Sequence, residues 1–225
     1  MQLALASAEP EPFPLGKKLV FGGCWVCFTR HRAGPGVAGE PGWAAATSLG
    51  VATPGDEVVV GGAAPAAYRP EYLALREGPL LARALRALPA RPEVVLVNAS
   101  GRDHSRRAGL ALHLGAVLDI PTVGITRRPL RALGDEPSDR RGAAAALRVD
   151  GELVGFMVRT REGARALAVH AAWRTDPEVA VEIALLASAR SRTPEPLRRA
   201  RRMARLARAW CTAIPDNEIP ANVWP

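Results

Sequence analysis

The sequence predicts a mixed α/β fold in which one β-sheet is flanked by helices. Short apolar runs rich in valine and leucine indicate strands, and they alternate with longer segments whose apolar residues recur at helical spacing. Alternating strands and helices favour a sheet that is covered by helices. The chain has 225 residues, of which 48% are hydrophobic, and this is enough for one domain with a substantial core.

The elements are predicted from these runs and from the glycine and proline residues between them. In order, we expect strands at 18–28, 43–49 and 56–61, a helix at 70–88, a strand at 93–98, a helix at 106–118, a strand at 121–126, strands at 144–149, 152–159 and 166–171, and helices at 176–190 and 194–211. We expect residues 1–14 to form an N-terminal extension, 15–211 a single domain and 212–225 an irregular tail.

Composition narrows the classes of function. No apolar run approaches the roughly 20 residues that cross a membrane, and residues 1–14 lack the basic start and apolar centre of a signal peptide. Three cysteines fit a reducing cytoplasm, where we expect the protein to act as a monomer. The net charge of +8 favours an anionic partner, although a compositional bias toward arginine explains it equally well.

Cys24 and Cys27 have the spacing of a redox pair. Such pairs lie at the start of a helix, where the thiolate is stabilised. These two lie in a predicted strand, in which residues three apart face opposite sides of the sheet. We therefore expect both cysteines to have structural roles.

Three separate segments carry motifs with fixed spacing. The first, at residues 94–130, contains an apolar strand that ends at Asn98, a polar turn with His104, and a second strand. The second is the block YRPEYLALREGP at residues 68–79. The third is GFMVRTREG at residues 155–163.

Together these segments resemble the endonuclease V family, which nicks nucleic acid beside deaminated purines. The first is similar to V-D-G-x-G-x-x-H-x-R-R-x-G followed by P-T-x-G-V-x-K, the second to Y-x-P-x-x-L-x-x-R-E-G-P, and the third to G-x-x-x-R-T-R-x-G. The resemblance extends over roughly residues 15–208. It implies a ribonuclease H-like layout and hydrolysis of phosphodiesters assisted by Mg²⁺ or Mn²⁺, which carboxylates hold.

The chain departs from the family at the positions that carry the metal ligands. Of four acidic or metal-facing positions, only the glutamate of R-E-G-P is retained, as Glu77. The resemblance places Trp25, Asn98 and Trp173 at the other three. An amide oxygen has no charge to offset a dication, and an indole removes the ligand altogether. We expect Glu77 to bind a metal weakly at most, with the two tryptophans packed close together across a drier centre.

The residues that the resemblance implies for recognition are mostly present. Tyr68 and Pro70 match a wedge that inserts between bases, and Gly101 matches a glycine near the base pocket; the alternative for each is a turn residue. His104 matches a histidine that faces the scissile phosphate, and its alternative is a capping or exposed residue. Arg127 replaces a lysine and suits phosphate binding better than proton transfer.

Further arginines extend this surface. Arg106 and Arg107 are expected in the first turn of the helix after His104, where they would bind the substrate. The last helix has a basic face that either follows a nucleic-acid backbone or is simply solvated. The residues expected to face the core from this helix are Leu197, Met203, Leu206 and Trp210.

Three functions remain open. The first is a nucleic-acid-binding protein, related to the repair of deaminated purines, whose nuclease activity is lost or very weak and whose remnant site is Glu77, His104 and Arg127. The second is an active Mg²⁺- or Mn²⁺-dependent endonuclease that cleaves 3′ to deoxyinosine with shifted ligands. The third is a non-enzymatic interaction module on the same fold. We favour the first, with inosine-containing DNA or RNA as the partner.

Overall fold

The computed structural model describes residues 2–16, 19–29, 35–50, 55–189 and 191–213. The strands are β1 (Phe21–Phe28), β2 (Pro41–Leu49), β3 (Asp56–Ala63), β4 (Val94–Val97), β5 (Thr122–Thr126), β6 (Ala144–Val149), β7 (Glu152–Val158) and β8 (Leu167–Ala171). The helices are α1 (Gln2–Ala6), α2 (Leu73–Arg86), α3 (Leu110–Leu118), α4 (Pro177–Leu186) and α5 (Glu195–Ala213). The described helices include none that is long and apolar enough to cross a membrane.

The strands form one mixed sheet in the order β3-β2-β1-β4-β5-β8-β7-β6. Strands β1, β4 and β5 are parallel neighbours, and every other pairing is antiparallel. The carboxyl ends of the three parallel strands therefore meet at one edge of the sheet, which is the usual place for a binding crevice in such folds.

Helices cover both faces of this sheet, as the sequence predicts. The alternation of side chains along β4 shows the division: Val95 and Val97 pack in one cluster with α2 and α3, whereas Val94 and Leu96 pack in another with α4 and α5. Cys24 and Cys27 follow the same rule, because they lie in different clusters as free, buried thiols. Their predicted structural roles are confirmed.

Helix α3 begins at Leu110, four residues later than the sequence indicates. Arg107 adopts a left-handed conformation with φ of 54°, and Gly109 is extended at the N-cap. A helix cannot continue backward through these conformations. The prediction that Arg106 and Arg107 lie in a helical turn is therefore wrong, and both precede the helix.

Helix α5 packs on the sheet through alanines rather than through its large apolar residues. Leu206 and Trp210 are 57% and 54% exposed, so their predicted core-facing positions are wrong. Small side chains face the sheet because the helix lies very close to β1, where a Cβ on Gly23 would meet the backbone of Pro196. The buried residues along the helix are Leu197, Ala200, Ala204 and Ala207.

The two ends of the chain differ in what the structure describes. Helix α1, which the sequence analysis missed, lies against the domain: the Gln2 amide donates hydrogen bonds to the backbone oxygens of Glu71 and Ala108. Helix α5 continues to Ala213, two residues further than predicted. The remainder of the predicted tail, 214–225, lies outside the described residues.

Candidate functional site

A cavity of about 290 Å³ lies at the carboxyl ends of β4 and β5, and we call it the β4 cavity. Its volume is close to the lower end of the ~300–1,000 Å³ that is typical of ligand pockets. Three segments that are distant in sequence form its walls: the block before α2, the turn after β4 and the loop after β5. Its lining includes Tyr68, Leu73, Asn98, His104, Thr126 and Arg128.

Two of the site residues predicted from the sequence, Tyr68 and Asn98, line this cavity and are exposed. Tyr68 is 45% exposed at the rim, and its backbone N–H donates a hydrogen bond to the Gly36 oxygen at 2.7 Å. Pro70 is also exposed, two residues further along. Asn98 follows the last residue of β4, so the parallel strand directs its amide to the edge of the sheet. The structure therefore brings the predicted wedge and the predicted aspartate position to one cavity.

His104 is buried and joins two walls of the cavity. Its Nδ1 accepts a hydrogen bond from the Arg106 backbone N–H at 3.2 Å, so its Nε2 is the protonated nitrogen and donates to the Glu71 oxygen at 3.1 Å. Burial lowers the pKa of His104, which keeps the ring neutral at pH 7. Both ring nitrogens of His104 therefore have backbone partners. The predicted contact of His104 with a phosphate stays a prediction.

A second buried histidine holds the loop after β5. The fully buried Asp103 carboxylate accepts hydrogen bonds from three successive backbone N–H groups, Leu130 to Ala132, at 2.6–2.8 Å. His170 Nδ1 lies 3.7 Å from this carboxylate, and His170 Nε2 lies 2.8 Å from the Thr126 hydroxyl. Burial lowers the pKa of His170 to about 4 despite the negative charge of Asp103. This network fixes the segment that carries Arg128 into the cavity.

Glu77 lies on α2, close enough to β1 for its charge to act on Cys24. Burial raises its pKa to about 7, although the neighbouring Arg76 acts to lower it. The strand residue that feels the charge of Glu77 is Cys24, whose thiol has its pKa raised by burial and by that charge. Arg76 itself forms a buried ion pair with Glu40, and no ion pair among the described residues involves Glu77.

Comparison with known proteins decides the family. The sequence profile of endonuclease V matches residues 34–202, which is most of the chain. The chain belongs to the endonuclease V family. It is 42% identical over 143 residues to the endonuclease V of Methanopyrus kandleri and 40% identical over 133 residues to that of Thermus thermophilus. These matches cover 64% and 58% of this chain, and the chain spans about three fifths of the relatives' length, 62% and 59%.

Solved structures of the family share the fold. The endonuclease V of Streptomyces avermitilis is 31% identical, with a TM-score of 0.83 over 94% of this chain and 90% of that one. The Ciona intestinalis enzyme, in complex with a 24-mer DNA that contains an inosine followed by a ribo-adenosine, is 20% identical, with a TM-score of 0.77 over 93% and 95% of the two chains. The predicted ribonuclease H-like, endonuclease V-like fold is confirmed.

The two tryptophans at supposed metal positions of the family are not packed together. Trp25 faces α5, where the Arg201 guanidinium lies 5.3 Å from its ring centroid, and it points away from the side of β1 that faces Glu77. Trp173 lies beside the start of β5, where its backbone N–H donates a hydrogen bond to the Thr122 hydroxyl at 3.1 Å and its indole N–H donates to the Asp119 carboxylate at 3.4 Å. Thr122 pairs with a residue three positions before Asn98, about 10 Å away along the strand. The expectation of a tryptophan-filled centre is wrong.

The residues at the site do not fit the carboxylate set that a magnesium ion needs. Mg²⁺ prefers one or two carboxylates together with phosphate and water oxygens. Here Asn98 is uncharged, the β1 residue beside Glu77 is the buried Cys24 thiol, and no second carboxylate contributes to the pKa of Glu77. Within the described residues, no group of three or more His, Cys, Asp or Glu side chains is arranged to hold a metal.

Three other residues predicted to belong to the site, Gly101, Arg106 and Arg107, each have a structural contact in the fold. Gly101 packs against β8, because a Cβ there would meet the backbone oxygen of Ala171. Arg106 lies over the Tyr72 ring at 4.7 Å from its centroid and 3.6 Å from the Glu71 carboxylate, which keeps it next to the cavity. Arg107 instead donates to the Val149 oxygen at 2.8 Å in the β6–β7 hairpin. Its predicted role in substrate binding stays a prediction.

Arg127 does not line the β4 cavity; the next residue, Arg128, does. Both arginines lie in the bend that follows β5, and only the second reaches the β4 cavity. The sequence analysis selected Arg127 because it occupies the position of the family's lysine. For Arg128, the sequence offered no indication other than its place next to Arg127. Asp103, Thr126 and His170 were missed as a set, because nothing in their sequence spacing shows that β8 brings His170 beside the other two.

Proposed function

We propose that this protein binds inosine-containing nucleic acid through the β4 cavity and hydrolyses phosphodiesters very slowly or not at all. One observation carries the proposal: Tyr68 and Asn98 meet at one cavity, while no carboxylate among the described residues contributes to the pKa of Glu77, the retained family glutamate. The inosine-containing DNA bound by the Ciona intestinalis relative supports the choice of ligand. Either DNA or RNA is compatible with these features.

The geometry suits binding of a single base. An exposed tyrosine ring at the rim can stack on a neighbouring base, which is worth about 1–3 kcal/mol. The Asn98 amide can both donate and accept hydrogen bonds at a base edge. Because the amide is uncharged, it does not repel a nearby phosphate, as a carboxylate without a bound cation would. Replacement of aspartate by asparagine therefore favours metal-independent binding over hydrolysis.

The test is the binding of fluorescent oligonucleotides that differ in one base. We expect tighter binding of single strands with one inosine than of the same strands with adenosine or guanosine, without added divalent metal. Tyr68→Ala should weaken binding about 5- to 150-fold, which corresponds to the loss of one stacked base, whereas Tyr68→Phe should bind like the wild type. Equal affinity for all three bases would contradict this function.

We also propose a reducing, cytoplasmic setting and a monomeric state. The two cysteines of β1 are buried free thiols, which suit a compartment where disulfides do not form. Light scattering of the purified protein tests the monomeric state, and a mass of twice 23.9 kDa would contradict it.

A further inference from the structure

A second cavity adjoins the β4 cavity, and half of its lining residues are arginines. It has a volume of about 940 Å³ and lies beyond the loop after β5, between that loop and the start of β8; we call it the arginine cavity. Arg128 and Pro129 line both cavities, so these two residues form part of a shared wall. The other charged residues of its lining are Arg127, Arg165, Arg192 and Glu136.

The positive charge of the arginine cavity is poorly compensated. Its one acidic residue, Glu136, lies 3.5 Å from Arg159, a residue outside the lining. Within the described part of the chain, Arg127, Arg165 and Arg192 form no ion pair with a carboxylate. Burial and the charges of the neighbouring arginines lower the pKa of Arg192. Like charges held this close repel one another, and an anion between them would remove the repulsion.

The arginines are held by the fold. Arg192 Nε donates to the Arg165 oxygen at 2.6 Å and its Nη2 to the Ala166 oxygen at 3.0 Å, which fixes this guanidinium against β8. The loop with Arg127 and Arg128 is fixed by the hydrogen bonds of the Asp103 carboxylate just after it. A guanidinium that is already ordered loses less conformational entropy when it binds a phosphate.

From this arrangement, we propose that the arginine cavity binds phosphates of the same strand whose base enters the β4 cavity. The strand would cross the shared wall at Arg128 and Pro129, so that its base and its neighbouring phosphates occupy adjacent cavities. Planar guanidinium groups bind phosphate oxygens in pairs, which matches this ligand chemistry. The inference rests on the proposed function and adds the path of the backbone to it.

The experiment is a salt titration of oligonucleotide binding. Single-stranded inosine oligonucleotides are bound to the wild type, to the double variant Arg127→Ala/Arg165→Ala and to Arg86→Ala. All three arginines are exposed, and Arg86, on α2, lines neither the β4 cavity nor the arginine cavity, so it is the matched control. For single strands, each phosphate contact contributes about 0.7 to the slope of log affinity against log salt. We expect the double variant to lose about 1.4 of this slope and the control to keep it.

The outcomes separate this inference from the proposed function. A slope of the double variant equal to that of the control overturns the phosphate assignment, even if inosine is still preferred. A wild type without inosine preference contradicts the proposed function, whereas a slope that still depends on the two arginines supports the arginine cavity as a phosphate site. Tripolyphosphate tests whether the bound phosphates belong to a nucleic-acid strand or to a small molecule. If tripolyphosphate binds more tightly than the oligonucleotide and displaces the oligonucleotide, the ligand of the arginine cavity is a free phosphate compound and not the strand.

Discussion

Glu77 is the one predicted metal-facing position at which this chain keeps an acidic residue. In a metal site its carboxylate would be ionised and offset by a cation, and a second carboxylate would share the ion. Here burial raises its pKa to about 7, and its neighbour on β1 is the buried Cys24 thiol. Glu77 is therefore a buried carboxyl group whose pKa is raised by its surroundings.

Glu77→Gln should therefore stabilise the protein at alkaline pH. Above pH 4.5 an unfolded chain has lost this proton, while the folded chain keeps it until about pH 7, so the free energy of unfolding falls as pH rises through this window. At pH 8 the uncharged glutamine should be more stable by about 3 kcal/mol, and at pH 4 the difference should vanish. Urea unfolding at both pH values measures this.

Magnesium provides the control for that prediction. If Mg²⁺ stabilised the wild type at pH 8 but not Glu77→Gln, Glu77 would be a metal ligand and the absence of a carboxylate set would be contradicted. We expect no stabilisation of either protein.

At the scale of single residues, the sequence predicted which residues lie at the cavity better than it predicted which way a side chain points. The positions of Tyr68, Asn98 and His104 followed from motif spacing, and the structure places all three at one cavity. The direction of Trp25 could not be predicted, because both of its neighbours, Cys24 and Val26, are also apolar. Without alternation of polar and apolar residues, a strand that is buried on both faces does not show which side chain faces which helix.

At the scale of elements, one carboxylate holds the middle of the loop after β5. Asp103 accepts three backbone hydrogen bonds from residues 130–132, and the next residue, Leu133, exchanges two backbone hydrogen bonds with Arg148 of β6. A charged acceptor at the centre of three donors is stronger than neutral bonds of the same length. The loop is therefore held by a side chain at residues 130–132 and by a β-bridge at Leu133.

Asp103→Asn should loosen this loop, because an amide can place only one oxygen toward the three donors and presents its own N–H groups to the others. We expect a loss of about 3 kcal/mol in the free energy of unfolding. Hydrogen exchange should be faster at the amides of Leu130, Arg131 and Ala132. Asp150→Asn is the matched control, because the Asp150 side chain is 85% exposed. Unchanged exchange at the three amides would show that the carboxylate does not hold the loop.

The start of α3 shows why this element was predicted too long. Arg106 and Arg107 have good helix propensity, so composition alone extends the helix back toward His104. Tertiary contacts override that propensity: His104 turns to donate to Glu71, and Gly109 packs so closely on Ser100 that no Cβ fits. The turn is therefore stabilised by contacts between residues that are distant in sequence. A local pattern of helix propensity does not contain that information.

At the scale of the whole molecule, the sheet with its flanking helices was predictable and the two adjoining cavities were not. The strand and helix bounds follow from the period of apolar residues, and they agree with the structure within a few positions. The cavities depend on β8 returning antiparallel beside β5, which brings His170, Arg165 and Arg192 to the end of the parallel strands. That crossing joins segments more than 40 residues apart, such as Thr126 and His170.

Binding without hydrolysis is the central claim for the whole molecule. It rests on the proposed base cavity, on the arginine cavity beside it and on the finding that no cluster among the described residues is arranged to hold a metal. Under this proposal the two cavities bind the strand without hydrolysing it, so affinity and catalysis should separate in one experiment.

The most direct measurement is a cleavage assay with protein in excess over labelled inosine-containing single strands and duplexes. Mg²⁺ and then Mn²⁺ are added, with Glu77→Ala as the control. We expect the strand to remain intact and to be retained by both the wild type and the variant. Nicking beside the inosine that disappears in Glu77→Ala would contradict the claim, because it would show that Glu77 still serves a working metal-dependent site.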